Sequence, residues 1–158
     1  MGVGNVLMGD DGVGPAAVEA MRADAPAAKA ELIDAGLAFS EVLCDLDPAR
    51  PMAIIDAVRG GGAPGSIYRL TPAELAGETG SMASAVSLHE VNVLPALRMA
   101  ALAGRSFDDV TIFGVEPESL GWGLPLSASV AQAVEKLRQM IGRYVDEHAP
   151  AACGSQKP

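Results

Sequence analysis

The sequence is poor in the residues from which most metal centres and covalent catalysts are built. Its 158 residues include two cysteines, Cys44 and Cys153, with no CxxC and no other metal-ligand spacing. That argues against a disulfide framework and against a structural zinc site. His89 and His148 are the whole supply of imidazole. No GxSxG elbow is present, and Gly80-Ser81-Met82-Ala83-Ser84 reads as a loop, so a serine nucleophile finds no support. Basic residues are scarce as well: eleven Lys and Arg face twenty Asp and Glu, for a net charge of -9. A nucleic-acid surface would need a basic stripe to neutralise phosphates, so the balance argues against that class of partner, and no nucleic acid is expected. No apolar run approaches the ~20 residues that span a bilayer. Met1-Gly2-Val3-Gly4-Asn5 also lacks the basic start and apolar stretch of a secretory signal. The expectation is a cytoplasmic protein with no membrane insertion.

What remains suffices for one domain. A composition 49% hydrophobic and 20% charged is that of a globular chain able to bury a core. Short apolar runs alternate with helical patterns, which predicts an α/β domain with a mostly parallel sheet. The expected strands are Glu31–Ile33, Met52–Ile55, Ser66–Leu70 and Val110–Phe113. The first, second and fourth show no polar alternation and read as buried on both faces. Val13, Ala17, Val18 and Met21 recur at helical spacing within a helix from Gly12 to Arg22. The clearest helix carries Val130, Val134, Leu137, Ile141 and Val145 on one face, with Ser127 or Ser129 as its N-cap. Cys44 follows Val42 and Leu43 and reads as a small core residue. His148 falls at a helix C-terminus, where a cation is mildly favourable. Residues 149–158 are small, polar and proline-bounded and read as a disordered tail after a domain spanning 1–148.

Chemistry concentrates in a few places. Gly2 to Gly14 is a glycine loop opening a helix, which suggests a phosphate cradle, but Leu7 stands where a dinucleotide loop needs its third glycine. Asp10 and Asp11 would also repel a phosphate at the helix start. Those aspartates either cap the helix or act as ligands. Asp56 closes the run Met52 to Asp56 at the strand end where open parallel sheets place their ligands; a turn cap for Val58–Gly62 is the alternative. Ser87-Leu88-His89-Glu90 is a capping box, placing His89 in the first turn of a helix, either as a structural hydrogen-bonder or as a ligand. Pro95 then predicts a kink or restart near Asn92. Asp34, before Ala35 and Gly36, is a further strand-end carboxylate that either lines the same crevice or, the favoured reading, caps the following helix. Taken together, two carboxylates and an imidazole suit a borderline divalent metal such as nickel or zinc, with positions left open for water and substrate.

With these residues assembled, the chain resembles the hydrogenase maturation proteases. The resemblance rests on the GxGNxLxxDDGxG opening (Gly2 to Gly14), the strand ending Ile54-Ile55-Asp56-Ala57, Ser87-Leu88-His89, and Gly114-Val115-Glu116-Pro117-Glu118-Ser119-Leu120. These elements lie in order from Gly2 to about Val145. The resemblance implies three layers, a twisted, mostly parallel central sheet flanked by helices. It also implies that Asp11, Asp56 and His89 are the metal-contacting and catalytic residues, with Asp11 favoured over Asp10. The implied activity is an endopeptidase that trims a short C-terminal extension from the nickel-loaded large-subunit precursor of a [NiFe]-hydrogenase. The nickel is supplied by that substrate rather than permanently bound. The family is grouped with aspartic-type peptidases, although no DTG-like pair is present here. In the family a strand leads into the glycine loop, whereas here only Met1 precedes Gly2, so a sheet without its first strand is expected. Two rivals stand beside this reading: a non-catalytic protein that binds the hydrogenase precursor or its nickel centre, and a small nucleotide-binding domain, which Leu7 and the Asp10–Asp11 pair disfavour.

Overall fold

In the computed structural model, which describes residues 1–22, 29–77 and 93–148, five strands form one sheet. They are β1 (Gly2–Val3), β2 (Asp34–Gly36), β3 (Met52–Ala57), β4 (Ile67–Leu70) and β5 (Val110–Val115), in the order β2-β1-β3-β5-β4. All neighbours run parallel except β4, which closes the edge antiparallel to β5. Strands β3 and β5 pair over their full lengths, from Met52 opposite Val110 to Ala57 opposite Val115.

Helices cover both faces, as a sheet buried on both sides requires. α1 (Val13–Arg22) and α5 (Ala128–His148) lie on one face. α2 (Phe39–Asp45), the short α3 (Pro72–Leu75) and α4 (Val93–Leu102) lie on the other. Successive strand residues point to opposite faces, so Ile54 and Ile112 pack with Phe39, Leu43 and Val93, while Ile55 and Phe113 pack with Val18, Val134 and Leu137. The expected three-layer α/β architecture is the observed one.

Several expectations need correcting. The first strand is not missing: Gly2–Val3 occupies a central place in the sheet, between β2 and β3. Gly2 N donates to Ile33 O at 2.9 Å, and Ile55 N donates to Met1 O at 2.8 Å. The strand expected at Glu31–Ile33 begins instead at Asp34, because its ladder is only as long as β1 and pairs Gly2 with Asp34 and Val3 with Gly36. Residues 31–33 accordingly are exposed or half-buried rather than buried on both faces. Cys44 is exposed, not core. α2 buries Phe39 and Leu43, four residues apart, and the next residue is turned about 100° away from that face. Thr71 and Glu74 form a capping box at the start of α3, where none was expected. α4 carries Pro95, and the kink or restart expected near Asn92 falls outside the described residues. His89, the Ser87–Glu90 box, Asn92, Gly80–Ser84 and the tail 149–158 lie outside the described residues. Ser127 is the N-cap of α5, its hydroxyl accepting from Val130 N at 3.4 Å.

α1 seats on the sheet through glycine. A Cβ on Gly14 would stand 2.2 Å from Val3 O and 2.5 Å from Ile55 O, both backbone atoms that cannot step aside. Gly14→Ala is therefore expected to lower unfolding free energy by at least about 2 kcal/mol in urea titration, through overpacking. A change under about 0.5 kcal/mol would mean that α1 can lift from the sheet at little cost.

Candidate active site

The carboxyl ends of β1 and β3 bracket a crevice. From β1 the chain crosses by α1 on one face to β2, and from β2 it crosses by α2 on the other face to β3. A crevice opens where successive connections leave on opposite faces, and ligands of open parallel sheets bind there. Asp11 follows β1 and Asp56 ends β3, so the topology brings both to this edge.

Asp11 sits in a 3-10 turn (Gly9–Gly12) between the glycine loop and α1. Gly4 makes that turn possible: its φ is +123°, and a Cβ there would lie 1.9 Å from Asp11 O. The loop folds back so that Asn5 N donates to Asp11 Oδ2 at 2.7 Å, and the Asn5 side chain in turn accepts from Leu7 N at 3.0 Å. Asp11 remains half-buried, and its charge lies near enough to Asp56 to raise that group's pKa.

Asp56 is buried, 3% exposed, on the strand paired with β5. Its Oδ1 accepts from Ala57 N at 2.8 Å. Burial pushes its pKa up to about 7, the nearby Asp11 carboxylate adds to the rise, and the Ala57 N–H offsets only part of it. Near neutrality this group is therefore about half protonated, which fits it to take up and release a proton. Two carboxylates near enough that the charge of Asp11 raises the pKa of Asp56 also form a site that a divalent metal would relieve electrostatically. Among the described residues no three His, Cys, Asp or Glu side chains group closely enough to hold a metal ion. His89, expected as the third member, lies outside the described residues. Asp34 is exposed at the start of β2, where its Oδ1 accepts from Gly36 N at 3.1 Å, and it serves its own turn.

Two buried acids take roles that the sequence reading left undecided or unassigned. Asp10, 1% exposed, holds the loop that follows β5. Its Oδ2 accepts from Glu118 N at 2.8 Å and Ser119 N at 2.9 Å, and its Oδ1 from Ser127 N at 2.6 Å. Burial alone would raise its pKa, but these donors more than offset that and hold it below the usual carboxylate range. Adjacent aspartates thus divide the work: Asp10 fastens the loop after β5, and Asp11 fastens the glycine loop beside Asp56. Glu116, 7% exposed at the end of β5, organises the loop after Asp56. Its Oε2 accepts from Gly60 N at 2.7 Å, Gly62 N at 3.2 Å and the Tyr68 hydroxyl at 2.6 Å. In the sequence Asp10 read as a helix cap or a ligand, and Glu116 stood only within the motif Gly114 to Leu120, directly after a buried strand, with no role of its own.

A cavity of about 520 Å³ lies at the opposite, amino-terminal edge of the sheet, lined by Met1, Leu32, Met52, Ala53 and Tyr144 among others. It contains neither Asp11 nor Asp56, so the chemistry is placed by the carboxylates and not by the size of a hollow.

Comparison with known proteins agrees with the fold. The family profile described as Hydrogenase maturation protease matches residues 15–143. The Hydrogenase 2 maturation protease of Escherichia coli K12 is 32% identical over 144 residues, covering 89% of this chain and 85% of the relative. Two solved Escherichia coli structures share the fold. The endopeptidase HycI gives a TM-score of 0.70 at 28% identity, covering 90% of this chain and 87% of that one. The hydrogenase maturating endopeptidase HybD gives 0.70 at 25% identity, covering 92% and 90%.

Proposed function

Since the chain belongs to the hydrogenase maturation protease family, we propose that it is an endopeptidase that removes a short C-terminal extension from the nickel-loaded large subunit of a [NiFe]-hydrogenase, with Asp11, Asp56 and His89 contacting the metal. The observation that carries this reading is the pairing of half-buried Asp11 with buried Asp56 at the topological crevice, where Asp56 titrates near 7. Nickel presented by the precursor supplies Lewis acidity at the scissile bond. Asp11, Asp56 and His89 would together contact the metal centre that the precursor carries. Asp56 takes a proton from the attacking water as the new C–O bond forms, and returns it to the leaving amine as the C–N bond breaks. A carboxylate near half-protonation does both without a large energetic mismatch.

Two carboxylates and one imidazole make a modest site for retaining a metal unaided. A precursor already coordinating nickel completes the shell and presents its own scissile bond, so cleavage reports that loading is finished. Purified protein is expected to contain little nickel and to cut nickel-loaded but not metal-free precursor, read by the mass of the released peptide. Stoichiometric nickel in the isolated protein, or equal cleavage of both precursors, contradicts the proposal. Tight binding of the loaded precursor with no cleavage would instead make the protein a non-catalytic chaperone of the nickel centre.

A further inference from the structure

Large exposed apolar side chains are ordinary when scattered, but here four of them share one rim. Val6 is 64% exposed, Leu7 53%, Trp122 72% and Leu124 47%. They come from two loops, the glycine loop after β1 and the loop after β5, whose strands end at the edge that carries Asp11 and Asp56. The two loops are fastened to each other: Gly123 N donates to Leu7 O at 2.7 Å, Asp10 N to Ser119 O at 3.0 Å, and the Asp10 carboxylate takes three further N–H groups from residues 118, 119 and 127. Gly9, at φ +60°, brings the loops close enough that a Cβ there would stand 2.8 Å from Ser119 O.

This arrangement holds an apolar surface open to solvent. The fastening is polar and backbone-directed, so it does not use the indole of Trp122 or the side chains of Val6 and Leu7. Those side chains contribute little to the core, yet the loops that bear them are fixed by a buried carboxylate. Rigid exposed aromatics with apolar neighbours are the usual anchors of protein recognition. The rim adjoins the crevice to which the precursor must be brought, and a chain of net charge -9 disfavours an acidic occupant.

We propose that Val6, Leu7, Trp122 and Leu124 form the docking surface for an apolar, non-acidic segment of the hydrogenase large-subunit precursor flanking its scissile bond. This rests on the protease reading above. Docking there adds affinity without touching the reacting atoms, so its loss should fall on KM.

Trp122 is the single tryptophan of the chain, which makes it a direct reporter. Nickel-loaded precursor whose large subunit has had its tryptophans replaced by phenylalanine would be titrated into the Asp56→Asn protein. The indole emission should shift to the blue as the ring leaves water. In otherwise wild-type protein, Trp122→Ala and Leu7→Ser should each lower kcat/KM about tenfold or more, carried by KM. Thermal unfolding should stay at the wild-type midpoint, because both side chains are exposed. Cleavage by the wild type together with unmoved emission and unaltered KM in both variants overturns the docking surface and leaves the protease reading standing. Absence of cleavage by the wild type together with the blue shift overturns the protease reading and keeps the surface. If one variant proves unstable, the other and the emission titration decide.

Discussion

Replacing Asp56 with asparagine is expected to abolish processing and, in the same protein, to raise stability at pH 8. The two effects share one cause. The carboxyl is buried, and both burial and the Asp11 charge favour its neutral form, so its pKa rises to about 7 from an ordinary value of 3.8. Protons are therefore bound more tightly in the folded than in the unfolded chain. The resulting stability is full below the ordinary carboxylate pKa and is lost as pH rises through about 7. Above that pH the fold carries the whole cost of an ionised, buried carboxylate, on the order of 2–4 kcal/mol at 1.36 kcal/mol per pH unit. Asparagine keeps an oxygen for the Ala57 N–H and can donate toward Asp11, but it cannot ionise. The variant should gain roughly 2–4 kcal/mol at pH 8, a rise of about 5–12 °C in Tm, and almost nothing at pH 4. Its cleavage rate should fall by roughly a thousandfold or more, since an amide cannot carry the proton. Unfolding midpoints at the two pH values, with peptide release measured on the same preparations, check both halves. Normal cleavage by the asparagine variant would remove Asp56 from the chemistry. A stability gain independent of pH would show that the carboxyl is not titrating in the fold. Asp11→Asn gives an internal control. It removes the nearby negative charge, so the Asp56 pKa should move down toward its ordinary value, readable by carboxyl NMR.

Asp10→Ala is expected to do the reverse of Asp56→Asn at neutral pH: stability falls first, and activity follows. Three backbone N–H groups, of Glu118, Ser119 and Ser127, point at the Asp10 carboxylate. Alanine leaves those partly buried donors without the carboxylate at a cost on the order of 2–4 kcal/mol, a large share of a domain's total stability. Asparagine should rescue little. Both carboxylate oxygens are accepting, so one of them would become an NH2 group facing donors. Because the fold holds the Asp10 pKa below its ordinary value, its stabilisation is present at pH values above about 4 and is lost as pH falls through the lowered folded value. The loop freed by the substitution carries Trp122, and the turn it was tied to carries Asp11. Urea unfolding, limited proteolysis between residues 117 and 127, and cleavage assays on the variant test the chain of effects. Wild-type stability and rate in Asp10→Ala would show that the fastening is dispensable.

Much of the architecture was legible in periodicity. Val130, Val134, Leu137 and Ile141 face the core as their spacing required, and the apolar runs at 52–55 and 110–113 lie within the two fully paired central strands. Burial on both faces leaves no room for polar alternation, so these runs read correctly. Glu31–Ile33 misled because an apolar run states that a segment is suited to pairing, not which partner lies opposite. β1 ends the ladder, and the strand moves to Asp34–Gly36. Cys44 misled because one residue on a helix turns a side chain by about 100°, from the buried face of Leu43 to solvent.

By itself the sequence determined the layered α/β class, the strand-end position of Asp56 and the loop position of Asp11, since these follow from local pattern and from motifs within a few residues. It left the Asp10–Asp11 pair ambiguous and passed over Glu116. Only the tertiary structure separated those acids, because their partners lie far along the chain: Asp10 is defined by residues 118 to 127, Glu116 by Gly60, Gly62 and Tyr68. The raised pKa of Asp56 likewise belongs to the folded state alone. A carboxyl's proton affinity depends on the water and charges around it, and only packing of β3 beneath the turn after β1 removes that water and brings Asp11 near.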